Sequence, residues 1–265
     1  MDTSFWIKFG LGFFVGGIWI TISSVAAERF GSKVGGLIGG LPSTIVVTLL
    51  FIGLTQTAER AAESAVIVPL VMGVNGIFVT VFISMSQRGL APALAGALLT
   101  WFILALILMI LNVQVLWISI LAWLVLGVGC FLVVEKGMKI TSQGRKATRY
   151  TAGQIAGRAA LSGTVVALAV LMSKVAGPLA GGIFATFPAV FLSNLIISYR
   201  SGGAAFASAV AKALMVSGLI TVPIYALLVW FLYPRLGLSF GTLIAFLVTA
   251  GVGFLTLQVM KSRLT

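Results

Sequence analysis

Asn75 and Ser217 are polar residues set deep in apolar stretches, and each is followed directly by a glycine, Gly76 and Gly218. Neither titrates, so the chemistry open to them is hydrogen bonding, and at bilayer depth a polar side chain is costly unless paired. Two readings stay open. In one, the pair bonds across helices as glue, with the glycines allowing close approach. In the other, Asn75 and Ser217 line a central cavity together with Ser43, Thr44, Thr186 and Asn194. Lys212 lies inside a further apolar stretch, where it either snorkels to the surface or points inward and attracts an anionic solute or a phosphate headgroup.

The residues that catalysis would need are missing or misplaced. There is no His, so His-ligated metals and His-based acid–base work are excluded. The single Cys130 cannot form an internal disulfide and reads as a small buried hydrophobe. All five acids, Asp2, Glu28, Glu59, Glu63 and Glu135, fall near the ends of apolar stretches. A carboxylate proton relay, a cation cage or the aspartate cluster of a phospho-alcohol transferase therefore has no residues to build it. No Gly-x-x-x-x-Gly-Lys-Ser/Thr loop is present to cradle phosphates. The expectation is a protein that is not an enzyme and needs no metal, nucleotide or organic cofactor.

The elements that must position these residues are membrane helices. Sixty per cent of the 265 residues are hydrophobic and 8% are charged, a balance no water-soluble domain of this length needs. Apolar runs near the ~20 residues that cross a bilayer fall at 4–26, 35–56, 63–86, 89–111, 114–134, 157–175, 177–198, 204–232 and 238–260. The first is read as a span rather than a cleaved signal peptide. Lys136, Lys139, Arg145, Lys146, Arg149 and Arg158 make the loop after the fifth run basic and hence cytoplasmic. Arg29, Lys33, Arg88, Arg200, Lys261 and Arg263 fall on that side, against Lys8, Arg60, Lys174 and Arg235 on the other. This bias predicts an outside N-terminus and a cytoplasmic C-terminus in a prokaryotic-type inner membrane. The basic loop is too short to fold as a nucleic-acid-binding domain, so its partners are membrane lipids.

The runs are not independent. Ser32-Lys33-Val34 precedes a glycine cluster, Gly35-Gly36-Leu37-Ile38-Gly39-Gly40, then Leu41-Pro42-Ser43-Thr44 and an apolar run. Ser173-Lys174-Val175 precedes Gly177-Pro178-Leu179-Ala180-Gly181-Gly182, then Thr186-Phe187-Pro188 and another. A short polar turn and an Ala/Ser-rich helix start follow both, and Met72-Gly73-Val74-Asn75-Gly76 aligns loosely with Met215-Val216-Ser217-Gly218. Pro42 and Pro188 remove backbone donors inside would-be spans, and the freed carbonyls must find partners within the protein. The glycine–proline pattern is similar to a segment of small bacterial inner-membrane proteins of the GlpM type, over residues 5–110 and again 157–262. The resemblance implies a fused two-copy form and brings no established chemistry.

An offset of five spans between copies is odd, so the copies must be inverted. The expected fold is all-α, a polytopic helix bundle of about nine spans in two inverted four-helix repeats. Repeat 1 is 1–112, the linker span 113–134, the basic loop 135–156 and repeat 2 157–265. The expected function is a small secondary transporter of an anionic or amphiphilic solute, with Pro42, Ser43, Thr44, Asn75, Thr186, Pro188, Asn194, Lys212 and Ser217 at the site. A lipid translocator, a passive channel, an assembly factor and a homodimer remain open.

Overall fold

A computed structural model describes residues 2–29, 42–140 and 151–262. Among them there is no strand, as expected where hydrocarbon forces each segment to satisfy its own backbone groups. The helices are α1 (Thr3–Arg29), α2 (Ser43–Thr55), α3 (Ala58–Ala65), α4 (Val68–Met85), α5 (Leu90–Leu111), α6 (Leu116–Leu132), α7 (Ala152–Ala185) and α8 (Ala189–Ser262). A 3-10 turn, Ser86–Arg88, closes α4, and a π turn, Val133–Gly137, extends α6. Gly177 breaks α7 at φ 87°, and Gly203 and Gly237 break α8 at φ 76° and 73°. Glycine adopts this left-handed region without steric penalty, so α7 is two helices and α8 is three.

Among the described residues, five stretches are long and apolar enough to cross a membrane: Thr3–Ile22, Val68–Arg88, Leu90–Leu111, Leu116–Gly137 and the interrupted Ala152–Thr256. The chain is an integral membrane protein. Leu99, Phe102, Leu106 and Ile110 on α5 and Trp117, Leu121 and Val125 on α6 are exposed, a disposition that suits lipid contact. The 63–86 run is two helices: Thr57 accepts the Arg60 amide and starts α3 at Ala58, and α3 ends at Ala65, whose carbonyl Pro69 has no N–H to serve. α4 then begins at Val68 with Pro69 in its first turn, where a missing N–H breaks no bond. The glycine cluster at 35–40, Ser32-Lys33-Val34, Arg145, Lys146 and Arg149 lie outside the described residues.

The core falls into two clusters, and each mixes the two halves of the chain. One joins α1, α2 and α3 to α7 and to Tyr225, Val229, Tyr233 and Ala245 of α8. The other joins α4, α5 and α6 to Ile183, Leu195, Ala207, Ala211 and Met215. α1 and α7 meet through glycine: a side chain on Gly17 would strike the Ala159 carbonyl, and one on Gly163 the Phe13 carbonyl. At one end of the bundle Lys8 donates to the Leu54 carbonyl at 2.8 Å and Gln56 to Ser173 at 2.9 Å. A second set of contacts ties Tyr199 to the Ser86 carbonyl at 3.0 Å and Ser86 to Ser208 at 3.2 Å.

Candidate functional site

Pro188 interrupts a helix that the flanking residues would otherwise continue. Its ring disfavours the helical conformation for the preceding Phe187, so the 178–185 helix closes with tight turns. The Thr186 amide bonds Ile183 at 3.2 Å and the Phe187 amide bonds Phe184 at 3.1 Å. The chain restarts with Leu192 donating to the Pro188 carbonyl at 2.8 Å, just as Val46 donates to Pro42 at 3.0 Å to begin α2. The amides of Ser43, Thr44 and Ile45, and those of Val190 and Phe191, precede these first bonds and have no partner in their own helices.

Those two helix starts face one cavity of about 70 Å³, room for about two waters at ~30 Å³ each. Pro42, Ser43, Thr44 and Ile45 form one wall, and Thr186, Phe187, Pro188, Val190 and Phe191 face them. Met72 and Asn75 from α4, Ala185 from α7 and Leu214, Gly218, Thr221 and Val222 from α8 complete the lining, and none of these carries an ionisable side chain. The lining pairs across the two halves of the chain. Pro42 with Pro188, Thr44 with Val190, Ile45 with Phe191, Met72 with Gly218 and Asn75 with Thr221 are all 146 positions apart (188 minus 42, 221 minus 75).

Asn75 is buried, and its amide is already engaged. Trp101 Nε1 on α5 donates to Asn75 Oδ1 at 2.8 Å, while Asn75 Nδ2 donates to the Thr186 carbonyl at 2.9 Å and contacts Met72 Sδ at 3.3 Å. An indole nitrogen can only donate, which fixes the orientation of the amide. In an unbroken helix the Thr186 carbonyl would accept from Val190 four residues on; here Asn75 serves it instead. Thr186 Oγ1 turns back to Gly182 and Ile183 at 3.1 and 2.9 Å. The Trp101 ring also meets Phe187 edge-on, with centroids 5.0 Å apart.

Of the residues expected at a site, the structure gathers Pro42, Ser43, Thr44, Asn75, Thr186 and Pro188 around the cavity. Three stand elsewhere. Asn194 accepts from the buried Arg158 at 2.9 Å, and Lys212 donates to the Ile140 carbonyl at 2.9 Å and pairs with Glu135. Ser217 is absent from the lining and offers its carbonyl to Thr221 Oγ1 at 3.0 Å. The counterpart of Asn75 is thus Thr221, four residues beyond Ser217. The proline-to-proline spacing gives that register, whereas the loose motif match around Met215 obscures it. Trp101 also escaped the sequence reading, although an indole inside an apolar span needs an acceptor.

A family model described as a protein of unknown function (DUF3147) matches residues 10–114 and again 157–260. The double match agrees with the two-copy organisation expected from the sequence, and the comparisons bring out no GlpM-type protein. No curated protein and no solved structure matches the chain.

Proposed function

We propose, for a chain that belongs to the DUF3147 family and carries its domain twice, that the cavity is the solute site of a small secondary transporter. In this reading the two copies are inverted four-span units joined by α6, and one rocks against the other around the cavity. A single observation carries it: the cavity lies where the proline break of each copy meets the other, lined by equivalent residues of both. When two units exchange conformations, a site built from equivalent positions opens to the opposite face, and transport needs nothing more.

The end contacts support inversion. Lys8 and Ser173 both reach the carboxyl end of α2, so the start of α1 lies beside the end of the first helix of α7, its counterpart in the second copy. Likewise Gly218 packs on Met72 while Ser208 reaches Ser86, so α4 and its counterpart in α8 run antiparallel. Two helix starts at one cavity bring partial positive charge and free amides, which favour an anion. The cationic side, with Arg88 and Arg200, would face the cytoplasm of a prokaryotic-type inner membrane and concentrate anions there. With no titratable side chain in the lining, the protein moves its solute and does not transform it.

Purified protein reconstituted in liposomes and screened against anions and lipids tests this. The expected result is saturable uptake of a small anion with countertransport, reduced at least tenfold by Gly218→Val, whose side chain would press on Phe191 and Met72. Flux with neither saturation nor countertransport would make the protein a channel instead.

A further inference from the structure

The Pro188 side of the cavity is held through an indole, Trp101, that the second copy does not repeat. On the Pro188 side, Asn75 bonds the Thr186 carbonyl and is itself held by Trp101, which also packs on Phe187. Both Asn75 and Trp101 are almost wholly buried. Thr221 stands at the position equivalent to Asn75. The equivalent of Trp101 falls within 247–249, where Leu247, Val248 and Thr249 carry no indole.

Pro188 starts the break, and the bond that the Thr186 carbonyl accepts helps to hold its shape. Left without Asn75, the donor that regular helix geometry offers it is the Val190 amide, and a bond of that kind would tighten the turn across Phe187 and draw the amide away from the cavity. Met72, one turn before Asn75 on the same helix, contacts the same amide and lines the cavity, so a shift of α4 relative to the break is felt at the solute.

We infer that Asn75 and Trp101 are positioning residues of the solute site. Asn75 holds the Thr186–Pro188 break open so that the Val190 and Phe191 amides face the cavity, and Trp101 acts through Asn75 by fixing its amide. The role of these amides rests on the cavity being the solute site, whereas the strut itself does not.

Hydrogen–deuterium exchange of the reconstituted protein, followed at the peptide covering 186–192, reads the strut without any solute. Asn75→Ala is expected to change exchange there at least tenfold, with peptides of α1 and α2 unchanged. Trp101→Phe should change it in the same direction by a smaller factor, and the double variant should match Asn75→Ala alone. Asn75→Leu, which is close in volume but loses both the acceptor for Trp101 and the donor to Thr186, is the second variant if Asn75→Ala does not fold, and is expected to behave like it. Exchange within twofold of the parent in both Asn75 variants, or single effects that multiply in the double, would overturn the inference. Thermal stabilisation by thiocyanate and by chloride, measured on the same variants, addresses the cavity separately. If exchange responds while anion stabilisation is the same in parent and variants, the strut stands and the solute-site reading falls.

Discussion

The Trp123 indole nitrogen donates to the Leu219 carbonyl at 2.9 Å, taking the place of an amide that the helix lacks. Leu219 stands four residues before Pro223, whose ring carries no N–H, so its carbonyl has no partner in the helix. α6 thus serves a kink next to Thr221 and Val222 of the cavity. Trp123→Phe should orphan that carbonyl, at a cost of about 1 to 3 kcal/mol, read as a lower unfolding temperature in detergent. Pro223→Ala supplies a new amide, so adding it to Trp123→Phe should recover most of the loss. Equal losses in the single and double variants would show that the indole contributes only its bulk.

Lys212 gives the opposite kind of prediction, because the structure separates it from the cavity. It pairs with Glu135 and caps the Ile140 carbonyl, which ties the stretch that follows α6 to α8. The pair is partly exposed, so its contribution is about 1 kcal/mol or less and screened by salt. Lys212→Gln should lower stability at low ionic strength, less so at high, and leave anion affinity within twofold of the parent. A tenfold loss of affinity would return Lys212 to the site.

Helices and breaks were legible in the sequence because single residues force them: Gly177 beside Pro178, Pro188 after an apolar run, and Pro42 likewise. Asn75 was legible as a paired polar group for the same reason, since hydrocarbon offers it no water. Its partners were not. Whether Asn75 meets a solute, Ser217 or Trp101 depends on the rotation of α4 and α5 about their axes, and runs hydrophobic on all sides carry no such information. Lys212 was ambiguous for a related reason, as its long stem lets the charge find Glu135 from far along the chain.

Close helix contacts separate glycines that look alike in sequence. A methyl group at Gly17 would strike the Ala159 carbonyl oxygen, while one at Gly10 meets nothing. Gly17→Ala should therefore push α1 from α7 and lower the unfolding temperature. Gly10→Ala should be neutral or stabilising, by up to about 0.5 to 1 kcal/mol from helix preference alone. Similar losses from both would mean that α1 and α7 do not pack through this face.

The turn after α2 and the turn around Gly203 occupy matching places in the two copies, and their sidedness tests the inverted arrangement directly. α2 ends beside Lys8 and Ser173, whereas Tyr199, at the close of the matching helix, reaches Ser86. Ser86 closes α4, which begins at Val68 after α3 and passes the cavity at Met72 and Asn75 on the way. In the inverted arrangement proposed above, the two turns belong at opposite ends of the bundle. With Cys130 replaced by serine, Thr57→Cys and Ser201→Cys should each react with a membrane-impermeant maleimide from one side of an oriented membrane only, and from opposite sides. The positive-inside bias assigns Ser201, beside Arg200, to the cytoplasmic face and Thr57 to the outer one. Labelling of both from the same face would remove the inversion, and with it the alternating mechanism, while leaving the cavity and its strut intact.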